Sequence, residues 1–412
     1  KDWLTGDPVG WQGPWGTTYP SNLRLALAKL TEDEWVKLAM GRFWSSLNTI
    51  FYWITNPLWV GGSLAFIGTE AWSQGISNID SGSVWDYLFK FLFIWATITT
   101  AIVSLKIGKW IPTLGAMCKV GLVAVFGVTV IIYGIDHGVQ GIDTGKLSPT
   151  SAGLLAIAPL ILFSFVGFES ANGAAEEMKD PQKDVPSAIL SSGLLSTFCY
   201  LVPIFLVLLV LPAKAVTGLG GFLDAVRESY TIYGGASSFL FGVTCLLFIF
   251  TLMNSGSAWM MSGDRVLAVA SADGGFFPYF GVFNEKVGTP IRANILSGVI
   301  ATAFSVAAVL LLSDESSANA FGVVLNIAIS TTLISYILIF PSAFILRRRY
   351  AAAHRPFRIP GGNGVMAAAC ALITFWVALG SWTAVFPGTI NHVIGLDYSI
   401  KSEWAVSGVT FT

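Results

Sequence analysis

The stretch FVGFESANGAAEEMKDPQKDVPSAIL, Phe165 to Leu190, follows an uncharged run, Ser151 to Ser164, and leads into a second long apolar run. Glu169 stands there among four small residues, Gly167, Ser170, Ala171 and Gly173, where a membrane helix would otherwise continue. Each glycine costs a helix about 1 kcal/mol relative to alanine, and a carboxylate cannot face lipid. The spacing predicts a helix that breaks near Phe165 to Gly173, inside the protein, and resumes toward Met178. A broken helix offers carbonyls at the end of its first half and amides at the start of its second, and these partial charges suit a small zwitterion or cation. The plainer alternative is a glycine kink for packing, with Glu169 bonding the freed backbone groups.

This reading requires a membrane protein, and the composition supplies one. The 412 residues are 54% hydrophobic and only 11% charged, against about 25% charged in soluble proteins; the mean hydropathy is +0.69. A net charge of −1 leaves no electrostatic case for nucleic acid. Cys118, Cys199, Cys245 and Cys370 lie singly in apolar runs, with neither metal-ligand spacing nor a disulfide framework. His137, His354 and His392 fall in expected loops; there is no HExxH, no nucleotide-binding loop and no motif that calls for a cofactor or metal. Lys1 to Leu30 contains no apolar core of signal-peptide length, and the chain reads as a fragment, a processed form or a trimmed piece.

About 20 apolar residues cross the hydrocarbon core. About nine spans meet that length, over 43–67, 87–105, 111–135, 152–178 (broken), 187–211, 237–263, 293–312, 320–346 and 364–386. The expected organisation is an atypical Gly-, Pro- and Trp-rich segment, 1–34, read as loop or interfacial; a membrane domain, 35–390; and a tail, 391–412. Alternate loops hold Lys106 and Lys109, then Lys179 and Lys183, then Arg265, Lys286 and Arg292, then Arg347 to Arg349, Arg355 and Arg358. The opposite loops hold only Lys146, Lys214, Arg227 and Lys401. By the positive-inside rule the first set is cytoplasmic and the tail is extracellular. The chain is therefore expected to be a multi-pass protein of the cell membrane.

Charges inside spans cost about 2.5–3.5 kcal/mol or more, so Glu169 and Lys119 stand out. Lys90 sits near the outer end of its span, where its amine is expected to snorkel to the interface. Asp264, in SGDR, is expected at the cytoplasmic end of its helix, opening an inner loop that runs to Arg292.

Three stretches carry a family likeness. GFESANGAAEEMKDPQKDVPSAI (Gly167–Ile189), ADGGFFPYFGVFNEKVGTPIRANI (Ala272–Ile295) and RPFRIPGG (Arg355–Gly362) stand in the order and spacing of the amino acid–polyamine–organocation permeases, which the chain resembles from about Trp35 to Thr412. The resemblance implies an all-α polytopic protein of the leucine-transporter-type inverted-repeat fold. It also implies an incomplete one: 43–67 matches the family's third helix and 364–386 its eleventh, so the first, second and twelfth are missing and the substrate site is half built. Such a piece would not transport by itself.

Carried over by position, the family's substrate contacts fall on Asn56, Phe163, Ser164, Phe165, Val166, Gly167, Glu169 and Trp259, with Phe163 as the gating aromatic and the carbonyls from Phe163 to Val166 facing an ammonium. Packing or interhelical hydrogen bonding would equally account for Asn56 and Trp259. Lys119 lies roughly 15 Å along its helix from Lys109 at about 1.5 Å per residue, where proton-coupled members often carry lysine. It is expected to take the place of a sodium ion and brace its helix against Ser255 and Ser257. The function implied is secondary transport of an amino acid or polyamine across the bilayer, by proton coupling or exchange, and not an enzymatic activity. The competing reading is a membrane-embedded receptor or an acid-dependent enzyme using Glu169 and Asp264.

Overall fold

A computed structural model describes residues 11–13, 16–18, 32–104, 110–140, 151–167, 181–212, 216, 220–311, 317–351 and 361–386. The N-terminal segment read as loop carries a short antiparallel hairpin, β1 (Trp11–Gly13) and β2 (Gly16–Thr18), with Trp11 opposite Thr18. All other regular structure among the described residues is helical.

The first long helix explains the rest. α1 (Glu32–Met40) turns at Gly41 (φ 98°) into α2 (Arg42–Leu58). The buried face of α2 is largely polar, Ser45, Asn48, Thr49, Thr55 and Asn56 with Tyr52 and Trp53, while Phe43 and Trp44 point outward. Polar groups turned inward and apolar groups outward are what a bilayer demands. Pro57 sits inside α2, and the chain then widens into a π-helix, Trp59–Leu64, before α3 (Ala65–Gly75). Gly61 and Gly62 lie in that wide turn. A Cβ on Gly61 would run into the Ala301 carbonyl, and one on Gly62 would stand 3.0 Å from Val324 Cβ. The glycines let the helix bulge against its neighbours without breaking, so the first span runs from Arg42 to Gly75, past the expected end at Ile67.

α4 (Val84–Ser104), α5 (Trp110–His137), α6 (Ser151–Ser164) and α7 (Pro181–Val210) follow. α8 (Gly221–Ser229), a short amphipathic helix with no counterpart in the sequence reading, leads through a 3-10 turn into α9 (Ser237–Ala272). α10 (Ile291–Leu311), α11 (Ser317–Arg349) and α12 (Gly362–Val385) complete the chain. Eight segments among the described residues are long and apolar enough to cross a membrane. The ninth expected span begins as α6, and its continuation, 168–180, lies outside the described residues.

α2 packs against α1, α9, α10 and α11, and α11 against α12 and α6. The most apolar stretches of the first span and of α11 are 61% and 67% buried, that of α7 only 11%, so the former make the core and the latter faces outward. Val36 of α1 is fully enclosed with Tyr52, Val266, Leu333, Tyr336 and Val377. Lys37 pairs with Asp273 and the Arg349 guanidinium donates to the Leu38 carbonyl at 2.6 Å, tying α1 to α9 and α11.

Two expectations are corrected. Lys90 does not snorkel: it is buried, ion-paired with Asp86 one turn earlier and 4.4 Å above the Phe66 ring. The pair forms because Asp86 is itself anchored, accepting from the Gly82 N–H at 3.0 Å. The inner loop does not open at Asp264, because α9 continues to Ala272; a helix carrying Arg265, Ser271 and no glycine after Gly263 has nothing to stop it before Gly274, whose φ is 78°.

Candidate functional site

α6 ends at Ser164. The Phe165 and Val166 N–H groups bond back to the carbonyls of Leu162 and Phe163 at 3.2 and 3.1 Å, and Gly167 has φ 109°, a left-handed conformation that needs glycine. The Ser164 hydroxyl donates to the Leu160 carbonyl at 2.8 Å. The turn therefore uses one lone pair of the Phe163 carbonyl internally, and a carbonyl has two. Phe163 meets Trp59 edge to face, centroids 5.3 Å apart, and Phe163 and Val166 pack on the cluster that holds Tyr52. Phe165 is exposed. Glu169 lies outside the described residues.

Trp59 is one turn along the first span from Asn56. Asn56 is buried, and its amide lies directly against the Cα of Gly263 on α9. Trp259, half-buried, stands one turn before Gly263 on the same helix. Phe163 thus meets the first span at Trp59, one turn from Asn56, and Asn56 meets α9 at Gly263, one turn from Trp259. The buried Asn56 Nδ2 has no hydrogen-bond partner among the described residues; Ser257 Oγ is likewise unpartnered among them, but two residues from Trp259 it lies about 200° around α9, on the other face.

Lys119 belongs to a different crossing. α5 meets α9 where Gly115 receives the Asn254 side chain, and one turn on the Lys119 amine donates to Ser255 Oγ at 2.6 Å. The residue itself remains exposed. Ser257 does not join it: two residues along a helix turn the side chain by about 200°, so Ser255 faces α5 while Ser257 is enclosed on the other side.

The sequence reading missed a polar junction. Asp264 is wholly buried and accepts from Trp53 Nε1 at 3.0 Å, from Asn294 Nδ2 at 2.6 Å and from the Ser297 hydroxyl. It also missed a hydroxyl chain in which Thr55 bonds Thr331 at 2.9 Å and receives Thr332 at 3.1 Å. An ionisable residue inside a span was the available signal for Asp264; ending the span at Gly263 concealed it.

A family model for amino acid permeases matches residues 30–399. The chain belongs to the amino acid permease family. A probable agmatine/putrescine antiporter of Lactococcus lactis is 25% identical over 336 residues, 81% of this chain and 70% of that protein. A serine/threonine exchanger of Bacillus subtilis is 25% identical over 329 residues, 78% of this chain and 69% of that one. Among solved structures, a manganese transporter of Eremococcus coleocola has the same fold, with a TM-score of 0.62 at 13% identity, over 94% of this chain and 80% of that chain. This amino acid permease is accordingly an integral, multi-pass membrane transporter and not an enzyme, and the receptor and acid-enzyme readings fall away.

Proposed function

We propose that this permease moves an amino acid or a related amine by alternating access, through proton coupling or exchange, with the substrate held where α2, the end of α6 and α9 meet. The reading is carried by the buried Asn56 Nδ2, which has no hydrogen-bond partner among the described residues. Buried polar groups are hydrogen-bonded in the great majority of cases, and a polar solute or water supplies what the described protein does not. Phe163, backed by Trp59, flanks that space, and the backbone of Ser164 to Gly167 ends the half-helix whose carbonyl end favours an ammonium. Trp259 walls it and Glu169 follows the break in sequence. The relatives' names support the substrate class, since agmatine, putrescine, serine and threonine all carry an amine. Lys119 would serve coupling: protonated, it holds α5 to α9 through Ser255 by a charge-assisted bond; deprotonated, that contact weakens and the two helices can part.

The test is uptake by the full-length gene product in proteoliposomes, using labelled putrescine, agmatine, serine and threonine. Expected is saturable uptake accelerated by unlabelled substrate inside, with Asn56→Leu raising KM about tenfold, the loss of one hydrogen bond. Lys119→Ala should lose acceleration by an imposed proton gradient while keeping exchange. Lys119→Arg should lose it too, because arginine keeps its proton. Non-saturable flux without exchange would sink the carrier reading. Uptake driven by sodium alone would remove the proton and Lys119 from it.

A further inference from the structure

Asp264 is the one carboxylate among the described residues that is enclosed in the spans without a cation. The two ion pairs among those residues, Lys37 with Asp273 and Lys90 with Asp86, do not involve it. Its surroundings are closed: Asp264 and Ser297 are 0% exposed, Asn294 1% and Trp53 4%. An ionised carboxylate in such a place costs several kcal/mol unless paired or fully hydrogen-bonded. Three neutral donors from two other helices meet that demand, Trp53 Nε1 from α2 and Asn294 Nδ2 with the Ser297 hydroxyl from α10.

The same junction also provides for the neutral acid. A protonated carboxyl has to donate, and needs an acceptor beside it. Asn294 Oδ1, on the very amide that bonds Asp264, is buried and unpartnered. Turning that amide over presents Oδ1 to an Asp264 O–H, with Trp53 and Ser297 still donating to the carboxyl oxygens. Only one rotation about the Asn294 side chain separates the two arrangements, and no helix has to move. The other charged groups on the packed elements are engaged elsewhere. Arg265 stacks on Phe283, Arg292 on Tyr279, and Lys119 bonds Ser255. Glu285 and Lys286 lie in the loop beyond Ala272, and Arg42 begins α2 on the surface.

We propose that Asp264 is a proton-binding site, in which Asn294 changes its amide orientation as the proton comes and goes while Trp53 and Ser297 keep α2, α9 and α10 joined. The bookkeeping is one proton, taken up on a carboxyl oxygen and released to water. The site goes beyond the proposed transport function, since it makes no reference to substrate. It differs from Lys119 in chemistry and in place: Lys119 is an amine between α5 and α9, Asp264 a carboxyl between α9, α2 and α10.

The experiment is infrared difference spectroscopy of the purified full-length protein between acid and neutral pH, without substrate. Expected is a protonated-carboxyl C=O band that is lost in Asp264→Asn, an isosteric change that keeps the neutral-state hydrogen bonds. The band should shift in frequency in Asn294→Ala, which removes the acceptor. An acid-minus-neutral spectrum in Asp264→Asn identical to that of the wild type would overturn the proposal. Should that variant fail to accumulate, Ser297→Ala keeps the carboxyl and deletes one donor. A moved band or a moved pH midpoint in Ser297→Ala supports the assignment, and an unchanged band and midpoint overturn it. Because no transport is measured, a protein that moved no amine would still pass or fail this test by itself.

Discussion

Gly263 is where two helices come closest to sharing an atom's space. A Cβ there would run into the Asn56 amide, with Asn56 Cγ only 2.8 Å away. Gly263→Ala should therefore lower the thermal midpoint of the purified protein, by a penalty of about 1–3 kcal/mol for an overfilled contact. It should also impair uptake, because Asn56 would be pushed from its place. Asn56→Ala combined with Gly263→Ala should recover the midpoint, since the colliding amide is gone. A double variant as unstable as the single one would show that the glycine is needed for another reason. At this scale the sequence spoke unevenly. Asn56 and Trp259 were legible as polar or aromatic positions within spans. Their shared neighbour Gly263 was only a glycine near an expected helix end, because nothing local says which helix will cross it.

The first turns of α4 are organised as an element by a buried ion pair. Asp86 accepts from the Gly82 N–H and from Lys90, and the Lys90 amine lies over Phe66 of α3, so the turn before α4, α4 itself and α3 are fastened together. Removing one member of a buried pair strands the other and costs about 3–5 kcal/mol, whereas replacing both with uncharged groups of similar size is often neutral. Lys90→Met should depress the thermal midpoint and expression strongly, and Asp86→Asn with Lys90→Met should restore most of the loss. If the double variant is no better than Lys90→Met, the two charges do not depend on each other. Sequence spacing alone allows both outcomes for such a lysine, since a residue one turn from the interface can reach water or a partner. Asp86 is four residues away, which was visible, but burial by α3 decided the matter. The π-helix at Trp59–Leu64 is a similar case. Pro57 and the glycine pair permit an irregularity; its form follows from Ala301 and Phe304 on α10 and Val324 on α11, which press on it.

Across the whole molecule, the cationic loops give an orientation. Lys286 lies between α9 and α10, and Ser81 lies between α3 and α4 at the opposite ends of their helices. In a background with Cys118, Cys199, Cys245 and Cys370 replaced by serine, Ser81→Cys should be labelled in intact cells by an impermeant thiol reagent. Lys286→Cys should be labelled only after the membrane is opened. The reverse pattern would overturn the assignment of the basic loops to the cytoplasm. Composition and hydropathy determined much of the molecule-wide result: a polytopic helical membrane protein, the interruption after Ser164, and, through three short motifs, its family. These follow from local physics, because a bilayer requires each span to be apolar and internally hydrogen-bonded whatever its neighbours are. Tertiary structure alone decided which polar groups meet. It set Asp264 among Trp53, Asn294 and Ser297, separated Ser257 from Lys119, and turned Lys90 inward onto Asp86. The contacts of Asp264 and Lys119 join residues far apart in the chain, the Lys90–Asp86 pair is buried by a neighbouring helix, and a buried polar group takes whatever surroundings the crossing helices deliver, which no local pattern encodes.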